Sequence, residues 1–404
     1  MPFLHDDHPS LEQGIFMPHS IILPGLDSRE SLFSILRVIL ASSVENYSML
    51  LLENGISNIS DYDCARDFSL MARTEHRQYL SFVSAASNAL PKNDYRHLIY
   101  LFVLAMNCAA NWAQQLKDEP VRRILDFLLP EYQDMLYRLS NLSILIHESD
   151  VTEFLFGIVE IMPGRPMIAC HRHPYDDIHS LNSHPSNAAS LSCLTMLSVL
   201  ESISSQLTAC NAHPLQHLKR AFLNEMAFLI QQHRCLFLSL LPKLHPIELI
   251  FLFQQLECYL YDSLQQDEPN SEIKQLFIQE RAHETTHIQK ISALIHDERR
   301  LSEYRLPSLP SFRIQSQKGY VRETLLNLGV TLRHGKPVPV GALKKGADFF
   351  RYQRRLFPDP SEAPSHIIVQ KTIEKNGTDF RYVIAPHPIE RLRSRDQDAL
   401  DIGR

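Results

Sequence analysis

Residues 279–288 read Gln-Glu-Arg-Ala-His-Glu-Thr-Thr-His-Ile, which places two carboxylates and two imidazoles inside an otherwise apolar helical pattern. Apolar residues recur at helical spacing on both sides of this stretch. Glu280, Glu284 and His287 fall in the same stripe, because side chains three, four and seven residues apart share one face of a helix. Side chains of the kind that bind metals therefore occupy positions where apolar packing is expected.

The spacing of Glu284 and His287 is the feature of this stretch that points to metal binding. A buried carboxylate without a partner costs several kcal/mol, so it faces water, pairs with a cation or binds a metal. Residues three apart on a helix direct two ligands onto one ion in carboxylate-containing helix bundles. An isolated Glu-x-x-His also arises on a solvated helix face or in a salt bridge. A metal site therefore requires matching ligand residues on other helices of the chain.

The composition predicts a mainly α-helical chain with a substantial core. It has 404 residues, which is longer than one ordinary domain, and combines 44% apolar residues with only 12 glycines. Its seven cysteines contain no Cys-x-x-Cys pair, which favours free thiols and a reducing cytoplasm. The N-terminus has no secretory pattern, and the most apolar segments, near 236–241 and 247–253, are too short to span a bilayer. We therefore expect a cytoplasmic protein with no transmembrane segment.

Charge and proline divide the chain into three predicted parts. Residues 305–404 carry 18 Lys and Arg against 10 Asp and Glu, whereas residues 1–304 carry 22 against 36. We predict an irregular lead-in over 1–27, a helical-bundle domain over 28–304 with a His-rich loop near 170–185, and a basic, proline-rich α+β appendage over 305–404. Within the appendage, two β-branched runs around Asn376-Gly377 predict a β-hairpin at 367–384.

Hydrophobic periodicity and capping residues place the helices of the bundle domain. Asn54-Gly55 is expected to end the first helix. Before the helix that carries residues 279–288, the predicted helices are 32–53, 62–90, 94–118, 120–148, 186–210, 214–241 and 246–264.

Several of these helices carry an acid in the apolar stripe. Glu45 and Glu75 lie on either side of a short loop, with His76 beside Glu75, and Glu257 and Glu284 straddle a second short loop. If each pair of helices folds back antiparallel, its two carboxylates come to similar heights. That is the geometry that a shared ion would need.

This layout resembles the ferritin-like carboxylate-bridged di-metal proteins, in which each helix of two hairpins contributes a Glu and two helices carry Glu-x-x-His. The resemblance covers residues 32–90 and 246–296. It implies that Glu45 and Glu257 are the single acids, that Glu75 and Glu284 bridge the ions, and that His287 is a nitrogen ligand.

The sequence departs from that layout at one position. Gln78 stands three residues after Glu75, where a second histidine is expected. The resemblance then requires another nitrogen ligand, either His76 or the pair Glu280 and His283. His76 is turned about 100° from Glu75 on a helix.

The resemblance implies a metal-dependent oxidoreductase, either an oxidase or an oxygenase. Two iron or manganese ions would act on dioxygen and a small-molecule substrate, which the sequence does not identify. The alternative is a non-catalytic helical interaction protein, whose embedded acids are salt-bridged to arginines and whose basic C-terminal region binds a partner.

Two further segments carry functional hypotheses. The cluster from Cys170 to His184 contains four histidines and two aspartates, which suits a zinc or thiol site as well as an exposed loop. In residues 344–355 basic and aromatic side chains alternate, a composition typical of a surface that binds an anionic partner such as RNA, lipid or protein. The same composition is also typical of a surface helix packed by its aromatic residues.

Overall fold

The structure is a computed structural model. It describes residues 29–89, 95–145, 185–211, 217–295, 304, 306, 308–327, 332–333, 336–337 and 363–376.

The described residues are mainly α-helical, as predicted. The helices are α1 (Arg29–Ile56), α2 (Tyr62–Ala89), α3 (Tyr95–Gln115), α4 (Glu119–Leu145), α5 (Asn187–Asn211), α6 (His217–Leu240), α7 (Pro246–Asp267), α8 (Ser271–Leu294), α9 (Lys318–Asn327) and α10 (Pro364–Asn376). A short antiparallel pair joins β1 (Leu332–Arg333) to β2 (Lys336–Pro337), with Leu332 opposite Pro337.

The first eight helices form four hairpins that group into two bundles. The pairs α1–α2 and α7–α8 pack together through α1 against α7 and α2 against α8. The pairs α3–α4 and α5–α6 pack together through α3 against α5 and α4 against α6. Contacts of α1 with α3 and α5, and of α7 with α5, join the two bundles. The four acids identified in the sequence lie on the helices of the first bundle.

A buried ion pair fixes the alignment of α1 and α7. Arg37 on α1 donates at 3.0 Å to Glu268, which follows α7, and Ser34 donates to the same carboxylate at 2.8 Å. Further along, Ser48 of α1 contacts Glu257 of α7. Because later residues of α1 meet earlier residues of α7, the two helices are antiparallel.

Capping residues set where the α7–α8 hairpin turns. His245 caps α7 in a capping box with Glu248, and Pro246 occupies the first turn, where its missing N–H costs nothing. Asn270 caps α8 by accepting from the backbone N–H groups of Glu272 and Ile273. The turn is therefore short and defined, which holds Glu257 and Glu284 at matching heights.

Two described helices are long and apolar enough to cross a membrane by length and composition alone, over Leu32–Ile56 and Asn187–Cys210. Their most apolar windows are 67% and 72% buried within the protein. Core helices pass the same test, so this is weak evidence for a membrane span.

The helix prediction at Asn54-Gly55 was wrong by about one turn, because α1 continues to Ile56. Gly55 lies where α1 comes close to α7, and a Cβ there would be 2.7 Å from Cδ1 of Ile250. The glycine serves a close approach of two helices at this position and does not end the helix.

The β-hairpin prediction at 367–384 was wrong over 367–376, which belong to α10. Ile368 is fully buried in the main core, and α10 packs against α4 and α6. Tertiary packing thus overrides the local β preference of a β-branched run. The second predicted strand, at 380–384, lies outside the described residues.

The described C-terminal segments contribute to the same core as the bundles. Phe312 and Ile314 are fully buried, and the Phe312 ring lies 5.4 Å from the ring of Trp112. Asn107 and Asn111 of α3 donate to backbone carbonyls of this segment at 2.7 Å. The predicted division into domains at 304 and 305 remains a prediction.

Candidate metal centre

One carboxylate from each helix of the first bundle meets at its centre. Glu45, Glu75, Glu257 and Glu284 are all fully buried, and His287 is 5% exposed. Their ligand-type atoms form two overlapping groups, Glu75 with Glu284 and His287, and Glu45 with Glu75 and Glu257. Within each group these atoms lie within 4.8 Å of one another, which is close enough to hold a metal ion.

Nδ1 of His287 lies where the α7–α8 hairpin contacts the α1–α2 hairpin. It lies 3.0 Å from Oε1 of Glu75, 3.2 Å from Oε2 of Glu284 and 3.1 Å from Oε1 of Gln254. A single N–H group cannot donate to three oxygens with good geometry at once. Oxygen and nitrogen donors that converge in this way are suited to a cation.

Gln254 is a member of the cluster that the sequence prediction missed. Its Nε2 donates to Ser48 at 2.9 Å, to Glu75 at 3.2 Å and to Glu257. Ser48 in turn donates to Glu257 at 3.1 Å. Gln254 precedes Glu257 by three residues, so its position on the apolar face of α7 could have identified it from the sequence.

Several carboxylate oxygens of the centre have no donor. With the carboxylates ionised, Oε2 of Glu45, Oε2 of Glu75 and Oε1 of Glu257 meet no hydrogen-bond donor among the described residues. Nor does any arginine or lysine of the described ranges form an ion pair with these acids or with Glu284. Buried polar atoms are normally satisfied, so these oxygens require a proton or a metal ion.

Two other buried acids among the described residues pair with an arginine. Glu225 on α6 accepts from Arg138 at 3.2 Å and from Ser365 of α10, and Glu268 pairs with Arg37. The protein thus supplies an arginine counter-charge to these two buried acids. The four acids between α1, α2, α7 and α8 have no such arginine partner among the described residues.

Burial and mutual repulsion raise the pKa values of three of these acids. Burial is the largest cause for Glu45 and Glu257, and the charges of Glu75 and Glu284 add to it. The same two causes, burial and then Glu75, raise the pKa of Glu284 to about 7. The metal-free protein therefore holds protons on these acids where exposed glutamates are ionised.

Glu75 and His287 behave in the opposite way and form an ion pair. Burial acts against the charge of each, but hydrogen bonds and attraction within the centre outweigh it. The pKa of Glu75 is lowered by hydrogen bonds from His287 and then Glu45, and the pKa of His287 is raised to about 10 by Glu284 and then Glu75. In the metal-free protein the imidazolium of His287 thus supplies positive charge to Glu75 and Glu284.

An apolar wall closes one side of the centre. Tyr261 on α7 donates its hydroxyl to Oε1 of Glu45, and its ring stacks at 6.1 Å on both Phe82 and Phe277. Burial and then Glu45 raise the pKa of Tyr261, so the hydroxyl keeps its proton and remains a donor. Nothing in the sequence marks this tyrosine as part of the site, because a buried aromatic residue is ordinary core material.

Of the remaining predicted ligands, Glu280 and His283 lie near the centre and His76 does not. His76 is exposed on the outside of α2, with its ring 6.3 Å from that of Tyr79, because successive helical residues are turned about 100° from each other. Glu280 and His283 lie next to the centre, on the same side as Gln78. The cluster at 170–184 and the basic stretch at 344–355 lie outside the described residues.

Comparisons with protein-family models, with curated proteins and with solved structures found no match for this chain. What defines its class is therefore its own fold and site. It is a helical-bundle protein in which buried carboxylate and histidine side chains lie close enough together to hold a metal ion.

Proposed function

We propose that this protein binds two iron or manganese ions between α1, α2, α7 and α8 and acts as an oxidase or oxygenase, in the manner of the ferritin-like carboxylate-bridged di-metal proteins. One observation carries the proposal. Two groups of buried ligand atoms share the carboxylate of Glu75, and a shared carboxylate is what a pair of bridged ions needs.

The ligands divide between the two ions. One ion would be held by Glu75, Glu284 and His287, and the other by Glu45, Glu75 and Glu257. Four carboxylates balance the charge of two divalent cations, and no lysine or arginine of the described ranges competes for them. Metal ions would replace the protons that burial otherwise places on the acids.

The donor set indicates which metals suit the site. Mostly carboxylate oxygens with one imidazole nitrogen favour iron or manganese over softer ions, which prefer thiolates. When bound, such a pair would supply open positions for dioxygen and a two-electron redox couple that passes electrons from a substrate to dioxygen.

The chain itself would orient the ligands and exclude water. Tyr261 holds Glu45 through its hydroxyl, and Gln254 holds Glu75, Glu257 and His287. Hydrogen bonds of this kind fix ligand orientation, and their loss lowers metal affinity about 10–100-fold in other proteins. The rings of Phe82 and Phe277 shield this side of the site from solvent.

The alternative of a non-catalytic interaction protein explains less. It accounts for Glu225 and Glu268, which pair with arginines. It leaves four adjacent buried acids without such a partner.

Metal analysis of the purified protein tests the proposal. After anaerobic loading with Fe²⁺ or Mn²⁺ and removal of excess metal, we expect about two ions per chain. Glu257→Gln keeps the size of the side chain but removes a ligand, so it should lose metal, whereas Glu272→Gln on the exposed start of α8 should not. Oxygen uptake by the iron-loaded protein, absent in Glu257→Gln, would support the oxidase activity. A wild-type protein that retains no iron or manganese would refute the proposal.

A further inference from the structure

Gln78 is surrounded by ligand-type atoms of Glu280 and His283, which the proposed centre does not use, and of Glu284, which it does. Its Nε2 donates to Oε2 of Glu280 and, at 3.1 Å, to Oε1 of Glu284, and it lies 3.4 Å from Nδ1 of His283. Nδ1 of His283 lies 2.9 Å from Oε2 of Glu280. Two carboxylate oxygens and one imidazole nitrogen therefore converge on the position of one amide nitrogen.

The other end of the same amide has no partner. Gln78 is 4% exposed, and its Oε1 meets no donor among the described residues. A buried amide oxygen left in this way is uncommon and needs an explanation. The two ends of a glutamine amide exchange places by a half-turn about one bond. With the oxygen turned inward, Gln78 would add a third oxygen to the carboxylates and the imidazole.

We propose that Gln78, Glu280, Glu284 and His283 form an outer site for a divalent cation, from which ions pass to the buried centre. The amide presents its NH₂ group to the three acceptor atoms when the site is empty and its carbonyl oxygen when an ion is bound. The inward-turned carbonyl oxygen takes the place that Nε2 has when the site is empty, so the ion lies beside it, and the acceptor atoms shift to reach metal–ligand distances of about 2.0–2.3 Å. The half-exposed side chain of His283 has the freedom to make that adjustment.

The exposure of His283 and the position of Glu284 between the two sites give the outer site its role. The side chain of His283 is 53% exposed and that of Glu280 is 7% exposed, so the ligands lead inward from solvent. Glu284 comes last, with Oε1 facing Gln78 and Oε2 facing His287 of the buried centre. An ion bound by Glu284 on the outer side is therefore one carboxylate away from the inner ligands.

The outer site rests on the proposed centre only for its role in loading, so binding and loading are measured separately. The full-length protein is stripped of metal and titrated with Mn²⁺, and free Mn²⁺ is counted by electron paramagnetic resonance. We expect one ion of weaker affinity in addition to the buried ions. His283→Ala and Glu280→Gln should weaken that ion at least about tenfold. His76→Ala removes an exposed histidine of the same bundle and should change nothing.

Loading is followed by stopped-flow with Co²⁺, whose absorption reports coordination by nitrogen and oxygen ligands. His283→Ala should slow occupation of the buried centre by about tenfold or more without lowering its final occupancy. Glu257→Gln should keep the weak outer ion. If Glu257→Gln and the wild type bind only that ion, the outer site stands and the proposed centre fails.

Equal Mn²⁺ binding by the wild type and His283→Ala would overturn the outer site, even if two buried ions were found. Equal loading rates in these two proteins would overturn its role in delivery. Far-ultraviolet circular dichroism of each variant establishes that the helices are retained. Because His283 lies at the surface, its replacement leaves the buried packing intact.

Discussion

Replacement of Glu284 by glutamine should stabilise the metal-free protein while it removes a metal ligand. In the metal-free structure the carboxylate of Glu284 is fully buried and faces the charge of Glu75. Gln has the same shape and no charge, and it can accept from Gln78 through its amide oxygen. The substitution therefore removes a repulsion and a desolvation cost while it keeps the packing.

The size of the effect follows from the pKa of Glu284, which rises from an ordinary 4.5 to about 7 in the folded protein. An acid with a raised pKa stabilises the fold relatively at low pH, and that contribution is lost as the pH rises through the folded pKa. At pH 8 the ionised group costs about 3 kcal/mol, and at pH 5 it costs less than about 1 kcal/mol. The net shift already includes the favourable attraction of His287, so these values describe the whole change.

Glu268 provides a matched control of opposite sign. It is also a buried glutamate of the α7–α8 hairpin, but it pairs with Arg37 and accepts from Ser34 and from the backbone N–H of Asn270. Glu268→Gln leaves the guanidinium of Arg37 buried without its counter-charge, which costs about 3–5 kcal/mol when such pairs are broken. Metal binding should survive in this variant because Glu268 lies outside the centre.

Urea unfolding in the presence of a chelator measures both effects at pH 5, 6, 7 and 8. Circular dichroism reports the helices, and fluorescence of Trp112 reports the packing of α3 against Tyr259 and Phe312. The advantage of Glu284→Gln should grow with pH. If Glu284→Gln destabilised the protein as much as Glu268→Gln at every pH, the acids of the centre would not be electrostatically strained.

Three further predictions concern the centre and its surroundings. Bound Mn²⁺ should raise the melting temperature more at pH 8 than at pH 6 in thermal-shift measurements, because protons compete with the metal for buried acids of raised pKa. Tyr261→Phe should destabilise the metal-free protein by about 1–2 kcal/mol in urea unfolding, since it leaves an oxygen of Glu45 without its donor, and should retain at least one metal ion per chain by metal analysis. Arg138→Met should destabilise the protein by about 3–5 kcal/mol because it leaves Glu225 unpaired, while metal content stays at the wild-type value.

Much of the fold and part of the site could be predicted from the sequence. Helical periodicity located α1 to α8 to within a few residues, because each helix buries a broad apolar face. Acids inside those faces stood out, since a buried carboxylate is costly unless something compensates it. The short loops after Ile56 and Asp267 then placed Glu45 beside Glu75 and brought Glu257 and Glu284 to the same centre.

What the sequence could not supply was contact between distant segments. Gln78 looked like a missing ligand, and only the structure shows it among Glu280, Glu284 and His283. The helical conformation of α10 depends on its packing against α4 and α6, far away in the chain. Local preference carries no information about such partners, which is why a β-branched run was misread as a strand.

The second bundle helps to create the electrostatics of the first. Burial is the leading cause of the raised pKa values of Glu45, Glu257 and Glu284, and α1 and α7, which carry two of these acids, pack on their other sides against helices of the second bundle. A four-helix bundle standing alone would leave those sides facing water. Because α1 is enclosed from both directions, it must be apolar nearly all round. The same enclosure that gives α1 a composition compatible with a membrane span thus keeps water away from Glu45, and it holds on Glu45 a proton that a metal ion would have to displace.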